Sequence, residues 1–132
     1  MRLSEEEYQG LIAKKQPSKN KPMYALGRLK QGEMNKLEAE YNGFLETQKH
    51  LGLILWFKFE GIKFRLADKT FYTPDFAVMM STGEMEVHET KGFMMEDANV
   101  KIKVAASLYP FKFKLIKKRA AKNGGGWDVK EY

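Results

Sequence analysis

The period of the hydrophobic pattern changes at Gly52, and that change constrains the fold more than any other feature of the sequence. Before it, Leu37, Tyr41, Phe44, Leu45 and Gln48 fall near one stripe of a helix predicted from Asn35 to about His50, with Gly52 as its stop signal. After it, Leu53 to Phe59 is a β-rich apolar run containing Trp56 and Phe57, which read as core residues. Ile62, Phe64 and Leu66 then alternate with Lys63 and Arg65 in the two-residue rhythm of a half-buried strand. Asp68-Lys69 reads as a turn, Phe71 to Met80 as the next strand, Ser81-Thr82-Gly83 as a second turn, and Glu84 to Lys91 as a third strand with Val87 inward. These strands are expected to form an antiparallel meander.

The helical period returns over Glu96 to about Leu108, with Ala98, Ile102, Ala105 and Ala106 packing, and Tyr109-Pro110 ends it. Phe111, Phe113 and Leu115 alternate with Lys112 and Lys114 in a further strand, and Trp127 to Tyr132 is expected as an edge strand beyond the loop 123–126. The order predicts an α/β (α+β) fold, a mixed sheet flanked by helices. Ahead of this core, residues 1–34 are expected to hold a helix from Ser4 to about Lys15 and an irregular basic segment carrying Lys19, Lys21, Arg28 and Lys30. Residues 35–132 make the core itself.

A chain of 132 residues fits one compact unit that needs no covalent staples, and it contains no cysteine. Disulfide frameworks, thiol nucleophiles and cysteine-ligated zinc or iron–sulfur sites are thereby excluded. His50 and His88 are the only imidazoles, so a bound metal must rest mainly on oxygen ligands, which favours magnesium, manganese or calcium. Lysine and arginine number 23 against 17 acids, a net charge of +6 that attracts polyanions, nucleic acid first among them. No apolar stretch reaches transmembrane length and the acidic start does not resemble a secretory signal, so no membrane association and a cytoplasmic location are expected.

The stretch that carries chemistry is Thr73-Pro74-Asp75-Phe76, followed fourteen positions later by Glu89-Thr90-Lys91. Both fall within predicted strands, so Glu89 and Lys91 share one face of theirs, His88 and Thr90 share the other, and pairing of neighbouring strands can bring Asp75 beside Glu89. Two carboxylates held together repel each other unless a cation sits between them, which selects for a hard divalent ion such as Mg²⁺. Lys91, one pleat on, can stabilise charge that grows on a phosphate or hold and help deprotonate the attacking water. His88, on the opposite face, reads as a packing or surface residue.

Pro74-Asp75 with Glu89-Thr90-Lys91 resembles the signature of the PD-(D/E)xK nuclease superfamily. The longer run Tyr72-Thr73-Pro74-Asp75-Phe76, Glu86 to Gly92, Glu96-Asp97-Ala98 and Lys101-Ile102-Lys103 is similar to a small phage-encoded branch of it. The resemblance covers roughly 35–117. It implies a restriction-endonuclease-like αβββαβ core and a Mg²⁺- or Mn²⁺-dependent endodeoxyribonuclease, with Asp75, Glu89 and the Thr90 carbonyl as metal ligands and Lys91 assisting. It also implies a helix acid that is a distal metal or water ligand, for which Glu38 is the better match and Glu40 the competitor. Helical geometry allows only one of the two to face the site.

From the following helix the resemblance implies Lys101 as a phosphate contact, with Lys103 beside it. Lys117, Lys118, Arg119 and Lys122, after the last core strand, are further candidates for holding DNA. Structure-selective cleavage of branched or Holliday-junction DNA is the form of the activity this resemblance implies, with a two-fold homodimer as its corollary; a phage protein would act in the host cytoplasm. The competing class is a non-catalytic basic module with the same fold, holding nucleic acid or a partner protein.

Overall fold

The structure, a computed structural model, describes residues 32–92 and 96–132, with the side chains of 96–98 excepted. The expected amino-terminal helix, the basic residues Lys19, Lys21, Arg28 and Lys30, the packing of Ala98, and the apolar run Phe93-Met94-Met95, expected from the sequence as core or a self-association patch, lie outside the described residues. The described unit is a small α+β structure: two helices, a mixed five-stranded sheet and a separate β-hairpin.

Helix α1 (Lys36–His50) starts where Asn35 can cap it. The Asn35 side chain accepts from the Glu38 N–H at 2.8 Å, and the Glu38 carboxylate accepts from the Asn35 N–H at 2.8 Å, so two of the orphan donors of the first turn are satisfied reciprocally. It ends in a Schellman arrangement, with the Gly52 N–H bonded to the Lys49 carbonyl and that of Leu53 to the Gln48 carbonyl. Gly52 takes φ +82° there, a conformation that penalises any side chain.

Strands follow as β1 (Ile54–Phe59), β2 (Phe64–Ala67), β3 (Thr70–Tyr72), β4 (Phe76–Met80) and β5 (Met85–Lys91). Helix α2 (Glu96–Leu108) leads to β6 (Lys112–Lys118), and β7 (Trp127–Glu131) closes the order. The sheet runs β1-β4-β5-β6-β7. All its pairs are antiparallel except β5 with β6, whose parallel register, Glu89 opposite Leu115, requires the crossover that α2 supplies.

Three expectations need correction. The stretch from Phe71 to Met80 is two strands, because Pro74 has no N–H to give a ladder and sits fully buried between β3 and β4; Asp75 therefore lies in a connection and not in a strand. The meander fails for the same reason: β1 skips β2 and β3 to pair with β4, and those two form their own hairpin. Trp56 is 42% exposed, since β1 is an edge strand whose register shifts between Ile54 and Trp56, while Phe57 packs partly against the core.

The sheet is packed on both faces. On one, α1 contributes Tyr41 and Leu45 to a cluster with Ile54, Phe76, Val78 and Ile116. On the other, Ile102 and Ala105 of α2 meet Val87, Phe113, Phe64 and Tyr72. Consecutive residues of β5 thus serve opposite cores, Val87 at 0% exposure and His88 at 6%.

His88 is buried beneath α1 within a polar network. Its Nδ1 shares a hydrogen bond with the Tyr41 hydroxyl at 2.7 Å, and its Nε2 bonds Glu86 Oε1 at 2.9 Å. The Lys114 ammonium reaches the same Glu86 oxygen at 2.9 Å. The hydrogen bond from His88, then Lys114, hold the Glu86 carboxyl down to about 2 against the opposing effect of burial. Burial and the charge of Glu86 push the Tyr41 hydroxyl up, so it stays neutral.

The network ties helix to sheet at a buried point, so Tyr41→Phe should leave His88 Nδ1 without a partner and cost about 1–3 kcal/mol. Urea unfolding at neutral pH checks this. A loss under about 0.5 kcal/mol would mean that the bond contributes nothing net.

Candidate functional site

The site forms where the β4–β5 ladder stops. The last register pair is Phe76 with His88. One step further, the backbone donors that would have continued the ladder are taken by side chains. The Asp75 N–H donates to Glu89 Oε2 at 3.0 Å, while the Thr90 N–H and hydroxyl donate to Asp75 Oδ2 at 2.8 and 2.6 Å. Each carboxylate is held by the chain segment that carries the other. On the far side the Asp75 carbonyl accepts from the Glu60 N–H at 2.7 Å, which fixes the connection to the end of β1.

Tyr72 completes the arrangement. Its hydroxyl donates to Glu89 Oε2 at 2.8 Å from the end of β3. Burial first, and then the Glu89 charge, push this hydroxyl far up, so it stays protonated and can donate to Glu89. The sequence marks Tyr72 only as part of the longer run, because a tyrosine two residues before a proline looks like any strand aromatic. Its partner is set by the hairpin's docking.

Glu38 is brought to the same end of the sheet from α1, across from Glu89. Burial, then the nearby Asp75 carboxylate, raise its carboxyl to about 7, although the Asn35 N–H pulls it down. Glu89 is raised to about 8, mainly by burial, then by Asp75, with Glu38 adding to it; the bonds from Tyr72 and the Asp75 N–H act the other way. Glu40 points elsewhere and pairs with Lys118. Of the two helix acids, Glu38 is the one beside Asp75.

Lys91 is half-buried and follows Glu89 on the same face of β5. Its register partner is Lys117. The other sequence candidates are dispersed. Lys101 donates to the Phe71 carbonyl at 3.4 Å, and Lys103 is exposed on α2. Arg119 is paired with Asp128, and Lys117 and Lys122 are exposed. Two of the proposed DNA contacts, Lys118 and Arg119, are thus already engaged in surface ion pairs.

Among the described residues no three His, Cys, Asp or Glu side chains converge closely enough to be a ready-made metal ligand set. What the site offers a hard cation is the pair Asp75 and Glu89, each with one oxygen committed to protein donors, and Glu38 on the flank. The Thr90 N–H is directed to the Asp75 side, and in a strand the carbonyl of a residue leaves on the same side as its N–H, which makes a backbone oxygen a fourth candidate. All-oxygen donors of this kind suit Mg²⁺ or Mn²⁺. Comparison with protein-family models, curated proteins and solved structures finds no match for the chain.

Raised carboxyls make the site a destabilising element in the absence of a cation. Below an ordinary 4.5, folded and unfolded chains both carry these protons. As pH climbs through 4.5 towards about 7 for Glu38 and about 8 for Glu89, the unfolded chain releases them first and the fold loses stability. In EDTA the melting temperature should therefore fall between pH 5 and pH 8.5. Glu89→Gln should flatten that fall and melt higher than wild type at pH 8.5; a lower melting point for the variant there would contradict the reading.

Proposed function

We propose that the chain is a divalent-metal-dependent endodeoxyribonuclease of the PD-(D/E)xK type, acting on branched DNA. The observation that carries this reading is the juxtaposition of Asp75 and Glu89, clasped through each other's segments, with Lys91 next along the same face of β5. Two carboxylates drawn together at the end of a sheet, with a third beside them, are costly to a fold that makes no use of them. Asp75, Glu89 and the Thr90 carbonyl would hold Mg²⁺ or Mn²⁺, with Glu38 as a ligand through water. The ion would polarise the scissile phosphate and lower the pKa of the attacking water.

The chain's own residues do the rest. Asp75 and Glu89 keep their orientation because Thr90, Tyr72 and the Asp75 N–H occupy one oxygen of each. Tyr72 fixes the rotamer of Glu89 while the remaining oxygen stays available. The Lys91 ammonium faces the negative charge that develops on the phosphate, an interaction stronger in the transition state than in the bound ground state. Lys101, Lys103, Lys117 and Lys122 supply basic surface outside the carboxylate cluster. No helix among the described residues is long and apolar enough to cross a membrane.

A second reading, a basic binding module without catalysis, draws support from the protein donors that already occupy one oxygen of each carboxylate. Supercoiled, linear and four-way-junction DNA incubated with Mg²⁺, Mn²⁺ or EDTA separates the two. Cleavage should need the metal, favour the junction, and fall by roughly a hundredfold or more in Asp75→Asn and Glu89→Gln. Cutting in excess EDTA, or full activity in either variant, would reject the enzyme.

Lys91→Ala should lower kcat with little change in DNA affinity. A variant that binds more weakly but cuts at the normal rate at saturating DNA would make Lys91 a phosphate anchor instead.

A further inference from the structure

The β2–β3 hairpin belongs to neither edge of the sheet, yet it is held firmly. The Tyr109 hydroxyl donates to the Arg65 carbonyl at 2.6 Å, the Lys101 ammonium reaches the Phe71 carbonyl at 3.4 Å, and Tyr72 bonds Glu89 at 2.8 Å. Its inner face, Phe64 and Tyr72, is buried against α2 and β6. Its outer face is different. There Arg65 and Phe71 stand opposite each other in the register, and Phe71 is 42% exposed with the Lys63 ammonium 4.6 Å from its ring centroid.

From 61 to 72 the segment carries Lys63, Arg65 and Lys69 against Asp68 alone, whose carboxylate lies 3.7 Å from the Arg65 guanidinium in an exposed ion pair that a phosphate can displace. The outer face therefore combines an exposed aromatic ring with a positive field, one residue along the chain from the hydroxyl that touches Glu89. Held outward on a docked hairpin, Phe71 has the attributes of a stacking platform: a rigid base, a solvent-exposed ring that the flexible Lys63 side chain overlies, and cations for the backbone of what lies on it.

We propose that this outer face binds unpaired nucleotides, with Phe71 stacking on a base and Lys63, Arg65 and Lys69 on the adjoining phosphates. Bases inside a duplex are already stacked and gain nothing from the ring, whereas an unpaired base does. The inference rests on the nuclease reading for its meaning, and specifies the substrate as DNA with an exposed single-stranded segment next to the cut. The Lys63 side chain, long and surface-bound, can leave the ring for a phosphate without disturbing the core.

The test is fluorescence anisotropy of labelled single-stranded DNA, the same sequence as single-stranded RNA, and a blunt DNA duplex. The full-length wild type, Phe71→Ala and Phe71→Trp are compared in EDTA, so that no cleavage intervenes. Phe71→Ala should weaken single-strand binding about tenfold, Phe71→Trp should retain it, and duplex affinity and melting temperature should not move. Loss for DNA but not RNA, or for both, supports the platform and identifies the strand it serves. The proposal is overturned if Phe71→Ala binds single strands like wild type, if duplex binding falls equally, or if the wild type holds no single strand.

Absence of metal-dependent cutting, with the Phe71→Ala loss intact, would remove the nuclease and leave the platform.

Discussion

Everything at the candidate site depends on the exchange of hydrogen bonds between Asp75 and the Glu89-Thr90 segment. Strand β4 cannot extend backwards past Pro74, so the ladder with β5 ends early and leaves backbone donors facing a gap. Buried N–H groups need partners. Asp75 and Glu89 provide them, and in doing so they are drawn to the same place. The geometry that satisfies the backbone is the geometry that gathers the charge.

The two faces of the sheet meet at this point. Glu89 and Tyr72 belong to the layer beneath α2, and Glu38 and the buried network around His88 belong to the layer beneath α1. Asp75, in a connection rather than a strand, can address both. Its carboxylate bonds Thr90 and approaches Glu38, while its backbone serves Glu89 and Glu60. The Tyr41–His88 bond fixes α1 one turn beyond Glu38, so the helix acid is set by a buried contact as well as by its own cap. Stability and site geometry are coupled here, because burial and the neighbouring carboxylates that raise Glu38 and Glu89 come from the same packing that holds the fold together.

Much of this was legible in the sequence, for local reasons. Helices and strands followed from the change of period at Gly52, and the opposite facing of His88 and Glu89 followed from the two-residue strand rhythm. What escaped was non-local. Pro74 is visible in the sequence, but whether it merely starts a strand or splits one depends on what β1 chooses to pair with. Trp56 looked like core because a bulge at an edge cannot be read from composition. Tyr72 and Tyr41 were aromatic residues in strand and helix patterns, and their hydroxyls found partners only through tertiary packing. Glu38 offered a sign that could have been used: Asn35-x-x-Glu38 is a capping box, which gives one of its oxygens a structural task while the carboxyl still lies near Asp75.

The central claim is that Asp75 and Glu89 hold a divalent ion between them. Anomalous scattering from crystals of the protein grown with Mn²⁺ tests it most directly, because the metal is located without reference to any activity. The account predicts a manganese peak within bonding distance of both carboxylates, lost in Glu89→Gln crystals grown the same way. A map with no peak there, with the two carboxylates still clasped to the chain as in the free protein, would contradict it.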